Sequence, residues 1–251
     1  MTTVAVLADP PREGLVLPAI AETTPLSTAD AARLYAASLA DVLGAVEASG
    51  GELLVNYRSD ESIPEEYATD ESAESEVRDV ASAALSTPED ARYEVQVGET
   101  FAGRAGNTAT HLLDQEDVES VAIVPGSAAF LDRTAVDGAA MKLRGSEVVL
   151  GPGIDGDLYY AGFKHPIDFA GAYRPPAIET ITERALADDH DVDFLSTEPT
   201  FETPAGLQSA VALCRARSQA GRIVPAHTAA CIEDLGLAVQ ERDGRRELGR
   251  E

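Results

Sequence analysis

Short apolar runs alternate with longer amphipathic segments along most of the chain. Residues 3–8 (TVAVLA), 53–57, 118–124 (VESVAIV), 147–150, 158–163 and 192–195 are runs of the length and apolarity of buried strands. Residues 92–97 alternate and predict one more. Between them lie segments of helical period. The first opens at Ser27-Thr28-Ala29-Asp30, which resembles a capping box. It carries Ala31, Leu34, Tyr35, Leu39, Val42, Leu43 and Val46 on one face and stops at Gly50-Gly51. Further helices are predicted over 72–85, 100–113, 134–143 and 177–187, and from Thr203-Pro204 to about 219. The prolines at 10, 11, 18 and 25 mark residues 9–26 as a loop, and 58–70 reads as an acidic, irregular segment.

Strands that are apolar throughout, each followed by a helix, belong to a sheet covered on both faces. The pattern therefore predicts a three-layer α/β fold with a mostly parallel central sheet. No internal repeat or low-complexity linker divides the chain. Residues 1–220 are expected to form one domain. Residues 221–251 are a C-terminal extension with a short helix near 228–235 and a charged, partly frayed end. Ligands of such sheets sit outside the carboxyl ends of the strands, which directs attention to the loops at 9–26, 126–132 and 151–157.

Charge narrows the partners. The 251 residues carry 19 Lys and Arg against 44 Asp and Glu, a net charge of −25. Nucleic acid and anionic membrane are not expected partners, because binding them needs a basic surface that displaces counterions. No apolar run is long enough to span a membrane, and the N-terminus lacks the basic start of a signal peptide. A cytoplasmic protein is the expectation. Only Lys142 and Lys164 are lysines, and the acids are spread along the whole chain. This pattern fits a salt-accumulating, haloarchaeal-type cytoplasm, where molar salt screens self-repulsion. Most carboxylates then serve solvation, and an acidic run such as 188–193 reads as a solvated connection.

Generic motifs are absent: no dinucleotide-binding glycine fingerprint, no P-loop and no nucleophile elbow. The four histidines are scattered. Cys214 lies in an apolar helical stretch, and neither it nor Cys231 has the spacing of a ligand pair.

What the chain does carry is an ordered set of shorter matches. These are Val4 to Ala8, the loop 10–18, Ala31-Ala32-Arg33-Leu34-Tyr35 with Asp41 and Leu43, and Gln96, Gly98 and Arg104. Val124-Pro125-Gly126-Ser127, the stretch 151–162 (GPGIDGDLYYAG) and Glu202-Thr203-Pro204 complete it. In this order they resemble the small GT-A-type transferases associated with radical-SAM or arsenosugar-biosynthesis systems. Those are distant relatives of nucleotidyltransferases such as phospholactate guanylyltransferase. The resemblance covers about residues 3–215. It implies a GT-A fold that takes a nucleotide or nucleotide-sugar with Mg²⁺ or Mn²⁺. Cations neutralise the pyrophosphate and carboxylates hold the metal. It also implies the site. Arg12, Gln96, Arg104, Gly126, Ser127, Asp155, Gly156 and Tyr159 would bind nucleotide or substrate, and Asp155 and Glu202 would hold the metal.

The chain departs from the family at three places. The basic loop K-T-R-L is replaced by Arg12-Glu13-Gly14-Leu15-Val16-Leu17, the motif G-S-D-C-P by Gly126-Ser127-Ala128-Ala129-Phe130, and D-V-D-T-P by Thr200-Phe201-Glu202-Thr203-Pro204. Two readings follow. In one, the protein is a divergent transferase relative with weakened or lost metal-dependent transfer, binding a ligand or a protein partner. In the other, it is an active glycosyltransferase or nucleotidyltransferase with a rearranged site, with Asp132, Asp155, Asp157 or Glu202 on the metal and Arg12 or Arg104 on the phosphates. Each matched residue also has a plain structural reading: turn chemistry for Gly126-Ser127 and Asp155-Gly156, core packing for Tyr159 or Tyr160, a helix start for Glu202, and structural hydrogen bonding for Gln96.

Overall fold

The computed structural model describes residues 1–242 and 244–251. Its centre is a seven-stranded sheet of β1 (Thr2–Ala8), β2 (Glu52–Tyr57), β3 (Arg92–Val95), β4 (Ser120–Pro125), β5 (Val148–Pro152), β6 (Leu158–Phe163) and β7 (Val192–Phe194). The spatial order is β3-β2-β1-β4-β6-β5-β7. β1 lies parallel to β2 and β4, with Val6 opposite both Val55 and Val124. β6 alone runs antiparallel, between β4 and β5. The sheet is thus mostly parallel, as the unbroken apolarity of β1 and β4 requires.

Side chains alternate across the sheet and divide the core in two. Val4, Val6, Ala8, Ala122 and Val124 face one layer. That layer contains α1 (Pro18–Thr23), α2 (Thr28–Glu47), α3 (Ala73–Ala84), α5 (Arg133–Lys142), α7 (Pro204–Gln219) and α8 (Ala226–Asp234). Ala5, Leu7, Val121 and Ile123 face the other, formed by α4 (Phe101–Gln115) and α6 (Ala177–Ala187). The predicted capping box is present: Ser27 Oγ accepts from Asp30 N at 3.1 Å, and the Asp30 carboxylate accepts from Ser27 N at 3.0 Å.

Two segments differ from expectation. The proline-rich loop contains α1, because Pro18 occupies the first helical turn, where its missing N–H costs nothing. The tail expected to fray forms an antiparallel hairpin of β8 (Leu237–Arg242) and β9 (Arg245–Arg250). Cys231, Ile232, Leu235, Leu237 and Leu248 join the core of the α2 layer. Asp41 on α2 accepts from His227 N and Thr228 N at 3.0 and 2.7 Å, which fixes the first turn of α8. Among the described residues no helix is long and apolar enough to cross a membrane.

Candidate functional site at the strand ends

Parallel pairing continues one step beyond three strands. Arg58 N donates to Ala8 O at 3.0 Å, and Gln96 N donates to Tyr57 O at 2.7 Å. Asp9, Arg58 and Gln96 are therefore aligned at the carboxyl ends of β1, β2 and β3. Beyond β4 the chain turns at Gly126-Ser127. The turn is tied to β1 and α2: Gly126 N donates to Leu7 O at 3.1 Å, and Ser38 Oγ donates to Gly126 O at 2.8 Å. The Tyr35 hydroxyl accepts from Asp9 N at 2.9 Å. A Cβ at position 126 would lie 2.4 Å from that hydroxyl, so only glycine lets α2 approach this closely.

The carboxylates gather on the β4 side. Ser127 is buried, and its hydroxyl donates to Glu202 in a short contact. Glu202 precedes Thr203, the N-cap of α7, whose side chain accepts from Gly206 N at 3.0 Å. The Thr203 hydroxyl in turn donates to Asp155. Crowding by protein raises the proton affinity of Glu202, the Ser127 hydrogen bond opposes this, and the negative charges of Asp157 and Asp9 add to the rise. Solvent reaches Glu202 in the cleft and softens these effects. Asp157 is also pushed up, by burial and by Asp155.

The cations gather on the β2 side. Arg58 Nη1 lies 3.5 Å from Asp9 Oδ1, and two of its nitrogens donate to Ser62 O, at 3.2 and 2.8 Å. Arg104, in the first turn of α4, is 7 % exposed. The one hydrogen bond of its guanidinium among the described residues runs from Nη1 to Glu99 O at 3.3 Å, and its buried Nε has no partner. Burial pulls its proton affinity down, Asp9 holds it up, and the nearby Arg58 pulls it down again. Tyr35 is driven far above the ordinary phenol value by burial and by Asp9, and it also senses Glu202 and Arg104.

The residues named from sequence fall into three groups. Gly126, Ser127, Glu202 and Asp155 gather beyond β4, and Arg104 stands on the β3 side in the first turn of α4. Gln96 lies buried at the end of β3, with Nε2 donating to Ala8 O and Asn56 O at 3.1 and 2.7 Å and with Oε1 unpartnered. It clips β1 to β2. Arg12, Gly156 and Tyr159 stand elsewhere. The Arg12 guanidinium is 3 % exposed, and each of its three nitrogens is hydrogen-bonded. It donates to Glu76 at 2.6 Å, Asp60 at 2.9 Å, Glu71 O at 2.9 Å and Tyr67 O at 3.2 Å. It pins the 58–70 segment and α3 to the loop after β1, which commits its charge to Glu76 and Asp60 rather than to a phosphate. Gly156, at φ +83°, turns against Pro176, and its carbonyl accepts from Ile178 N at 3.0 Å. Tyr159 is buried, with its hydroxyl donating to Ser196 O at 2.9 Å. Asp132 caps α5, accepting from Ala135 N at 2.8 Å. Sequence reasoning passed over Arg58, Asp9 and Tyr35. The first two directly follow apolar strands, a position that itself points to the ligand side of such a sheet.

The donor set bears on the implied Mg²⁺ or Mn²⁺. Hard carboxylate oxygens are the right chemistry. Yet position 128, where the resemblance expects aspartate, is a fully buried alanine. Glu202 and Asp155 each accept from a neutral hydroxyl, of Ser127 and Thr203. No three His, Cys, Asp or Glu side chains among the described residues are grouped as ligands of one ion. The residues present do not fit a resident divalent ion.

No family model and no curated protein matches the chain. Solved structures do. One is described as a "putative nucleotide-diphospho-sugar transferase" from Desulfovibrio desulfuricans G20. It superposes with a TM-score of 0.72 at 18% identity, covering 93% of this chain and 94% of that one. A cytidylyltransferase from Leptospira borgpetersenii serovar Hardjo-bovis gives 0.50 at 11% identity, over 93% and 94% of the two chains. The fold is that of the nucleotide-diphospho-sugar transferases. The GT-A architecture expected from the ordered motifs is therefore present, and the cleft just described lies at the carboxyl ends of its parallel strands.

Proposed function

We propose that this protein binds a nucleotide or nucleotide-sugar at the carboxyl ends of β1, β2 and β4, and that its metal-dependent transfer chemistry is weakened or lost. One observation carries the second half of this reading. Two charged groups that the resemblance implies, a basic residue for the pyrophosphate and an aspartate for the metal, are absent, since Arg12 is spent inside an ion-pair network and position 128 is a buried alanine. Electrostatic stabilisation of this kind supplies several kcal/mol to phosphate chemistry, so losing it on two sides is not a small defect. The architecture and the surviving Ser127, Glu202 and Arg104 support the first half. On this reading the protein is a divergent member of a transferase-like group that has kept a ligand cleft. Nucleic acid and membrane are not its partners, and a protein partner is compatible with it.

The test is thermal unfolding in molar KCl against a panel of nucleotides and nucleotide-sugars, with and without Mg²⁺ or Mn²⁺, followed by an assay for nucleotide or sugar transfer. A ligand at about 100 times its dissociation constant adds ~2.7 kcal/mol to stability, which is readily detected. Stabilisation by a nucleotide without turnover is the expected result. Metal-dependent transfer would instead establish the active, rearranged enzyme. No stabilisation by any compound would remove the nucleotide site.

A further inference from the structure

Residues 59–71, between β2 and α3, stand at the carboxyl end of the sheet and take no part in either half of the core. Ile63 is their one buried side chain, and the acids Asp60, Glu61, Glu65, Glu66, Asp70 and Glu71 are exposed. Two single 3₁₀ turns, Asp60–Ser62 and Glu65–Tyr67, give the segment its shape. Its backbone-to-backbone hydrogen bonds close within it: Ser62 N to Ser59 O at 3.0 Å, Ile63 N to Asp60 O at 3.2 Å, Tyr67 N to Pro64 O at 2.9 Å and Ala68 N to Glu65 O at 3.1 Å. The two ends are fixed. Arg58 N is bonded to Ala8 O of β1, and Ser72 caps α3 by accepting from Ser75 N at 3.2 Å.

Side chains hold the segment to the body, and one residue dominates. Arg12 donates from Nη2 to Asp60 Oδ1 and Glu71 O, both at 2.9 Å, and from Nη1 to Tyr67 O at 3.2 Å. It thus grips the beginning, middle and end of the segment. Its Nε donates to Glu76 of α3 at 2.6 Å, which keeps the guanidinium in place independently of the segment. Two lesser contacts add to this. The Tyr67 ring lies on Gly14, where a Cβ would come within 2.9 Å of Cε1, and the Asp60 carboxylate accepts from Ala73 N at 3.1 Å. A segment with so little buried apolar surface opens at a lower free energy than the core. Ser59, Glu61 and Ser62 form one wall of a cavity of about 570 Å³, and Val95 to Glu99 form the other. The second wall is fixed: Gln96 N donates to Tyr57 O at 2.7 Å, and Asn107 Nδ2 donates to Val97 O at 2.7 Å. The volume suits a small organic ligand.

We infer that residues 59–71 are a strap that opens and closes as one unit at the carboxyl ends of β2 and β3, with Arg12 as its latch. The strap is the movable wall of the cavity. Opening it admits a ligand, and closing it encloses one. The motion is a property of the segment and holds whichever ligand the cleft takes.

The experiment is amide hydrogen exchange of the full chain in molar KCl, read residue by residue by NMR at several low urea concentrations. The variants are Asp60→Asn, which keeps a cap for Ala73 N and removes the charge facing Arg12, and Arg12→Lys, which loses the fork. Arg184→Gln, in an α6 ion pair with Asp168, is the control. The amides of Ser62, Ile63, Tyr67 and Ala68 should share one protection factor, about tenfold or more below that of β1 and nearly insensitive to urea, since a local opening exposes little surface. Asp60→Asn and Arg12→Lys should each lower all four together by about tenfold or more, the scale of one charge-assisted hydrogen bond. Arg184→Gln should leave them unchanged. If Arg12→Lys fails to fold, Asp60→Asn decides. Protection equal to that of β1, with the same urea dependence, would overturn the inference, because the segment would then open only on global unfolding. Four unrelated protection factors would overturn the single unit, and an unchanged profile in Asp60→Asn would overturn the latch.

Discussion

Replacing Arg12 by methionine separates a structural role from a ligand role. Methionine keeps much of the stem volume and deletes the guanidinium. Four acceptors lose their donor at once: Glu76, Asp60 and the carbonyls of Tyr67 and Glu71. Removing one member of a buried ion pair costs about 3–5 kcal/mol, mainly through the charge left behind. Here Asp60 is 52 % exposed and regains water. Glu76 is 18 % exposed and does so only in part. The lower end of the range, ~3 kcal/mol, is therefore expected. For a chain of this size that corresponds to a fall in Tm of roughly 6–12 °C.

The two partners respond differently to their pairing. Burial opposes the charge of Arg12, but the hydrogen bonds to Glu76 and Asp60 outweigh it and hold the guanidinium above its ordinary value. Burial pushes Glu76 up, and Arg12 offsets this only in part. The network is thus centred on the arginine, and Glu76→Gln should cost less than Arg12→Met. The assay is denaturant unfolding of both variants and the double variant, with nucleotide titration of the folded forms. A double-mutant cycle gives the coupling between the pair directly. The reasoning would be refuted if Arg12→Met left stability within about 1 kcal/mol of wild type while abolishing nucleotide binding, since Arg12 would then be serving the ligand.

Three further outcomes are expected. Gly126→Ala drives a Cβ to 2.4 Å from the Tyr35 hydroxyl and should cost about 1–3 kcal/mol. Tyr35→Phe in the same chain should recover part of that loss, and a neutral Gly126→Ala would show that α2 does not approach as described. Asp30 is held down at about 2, first by its hydrogen bonds with Ser27 and then by Arg250. A depressed carboxylate stabilises the fold above its unfolded value near 4 and loses that contribution as pH falls toward 2. Asp30→Asn should therefore flatten acid unfolding in that window, and an unchanged profile would contradict the capping box. With a net charge of −25, Tm should rise as KCl is added toward molar concentrations, because screening shortens to about 3 Å and relieves self-repulsion. A Tm independent of salt would show that the carboxylates are already compensated.

The central strands were legible because both faces of the sheet are covered, so β1 and β4 are apolar at every step. Helix α2 was legible for the complementary reason: its face repeats with the helical period and its ends carry recognisable chemistry. The hairpin β8–β9 was not. Leu237, Val239 and Leu248 face the core, but arginines and glutamates between them give the segment the composition of a solvated tail. In the site, Ser127 and Glu202 were reachable from motif order, whereas the fate of Arg12 was not. Its partners lie 48 and 64 residues away, in a segment that reads as irregular acid. Tyr35 was hidden in the periodicity of α2, where a tyrosine and a leucine fill the same core position until the hydroxyl finds Asp9.

A strongly acidic chain inverts the usual weight of charged residues. When 44 carboxylates serve 19 cations, finding an arginine beside an acid carries little information, because chance and solvation already supply the partner. Arg12 shows the ordinary outcome, a cation fully satisfied by the excess. The informative residue is the cation that the excess has failed to reach. Arg104 is buried and makes no ion pair among the described residues, although acids are abundant elsewhere on the surface. Glu99, just beyond β3, gives Arg104 only its carbonyl, and its own side chain stays exposed. The acid next in sequence is thus not the partner in space, which is why Arg12 and Arg104 look alike in the sequence and end up paired and unpaired.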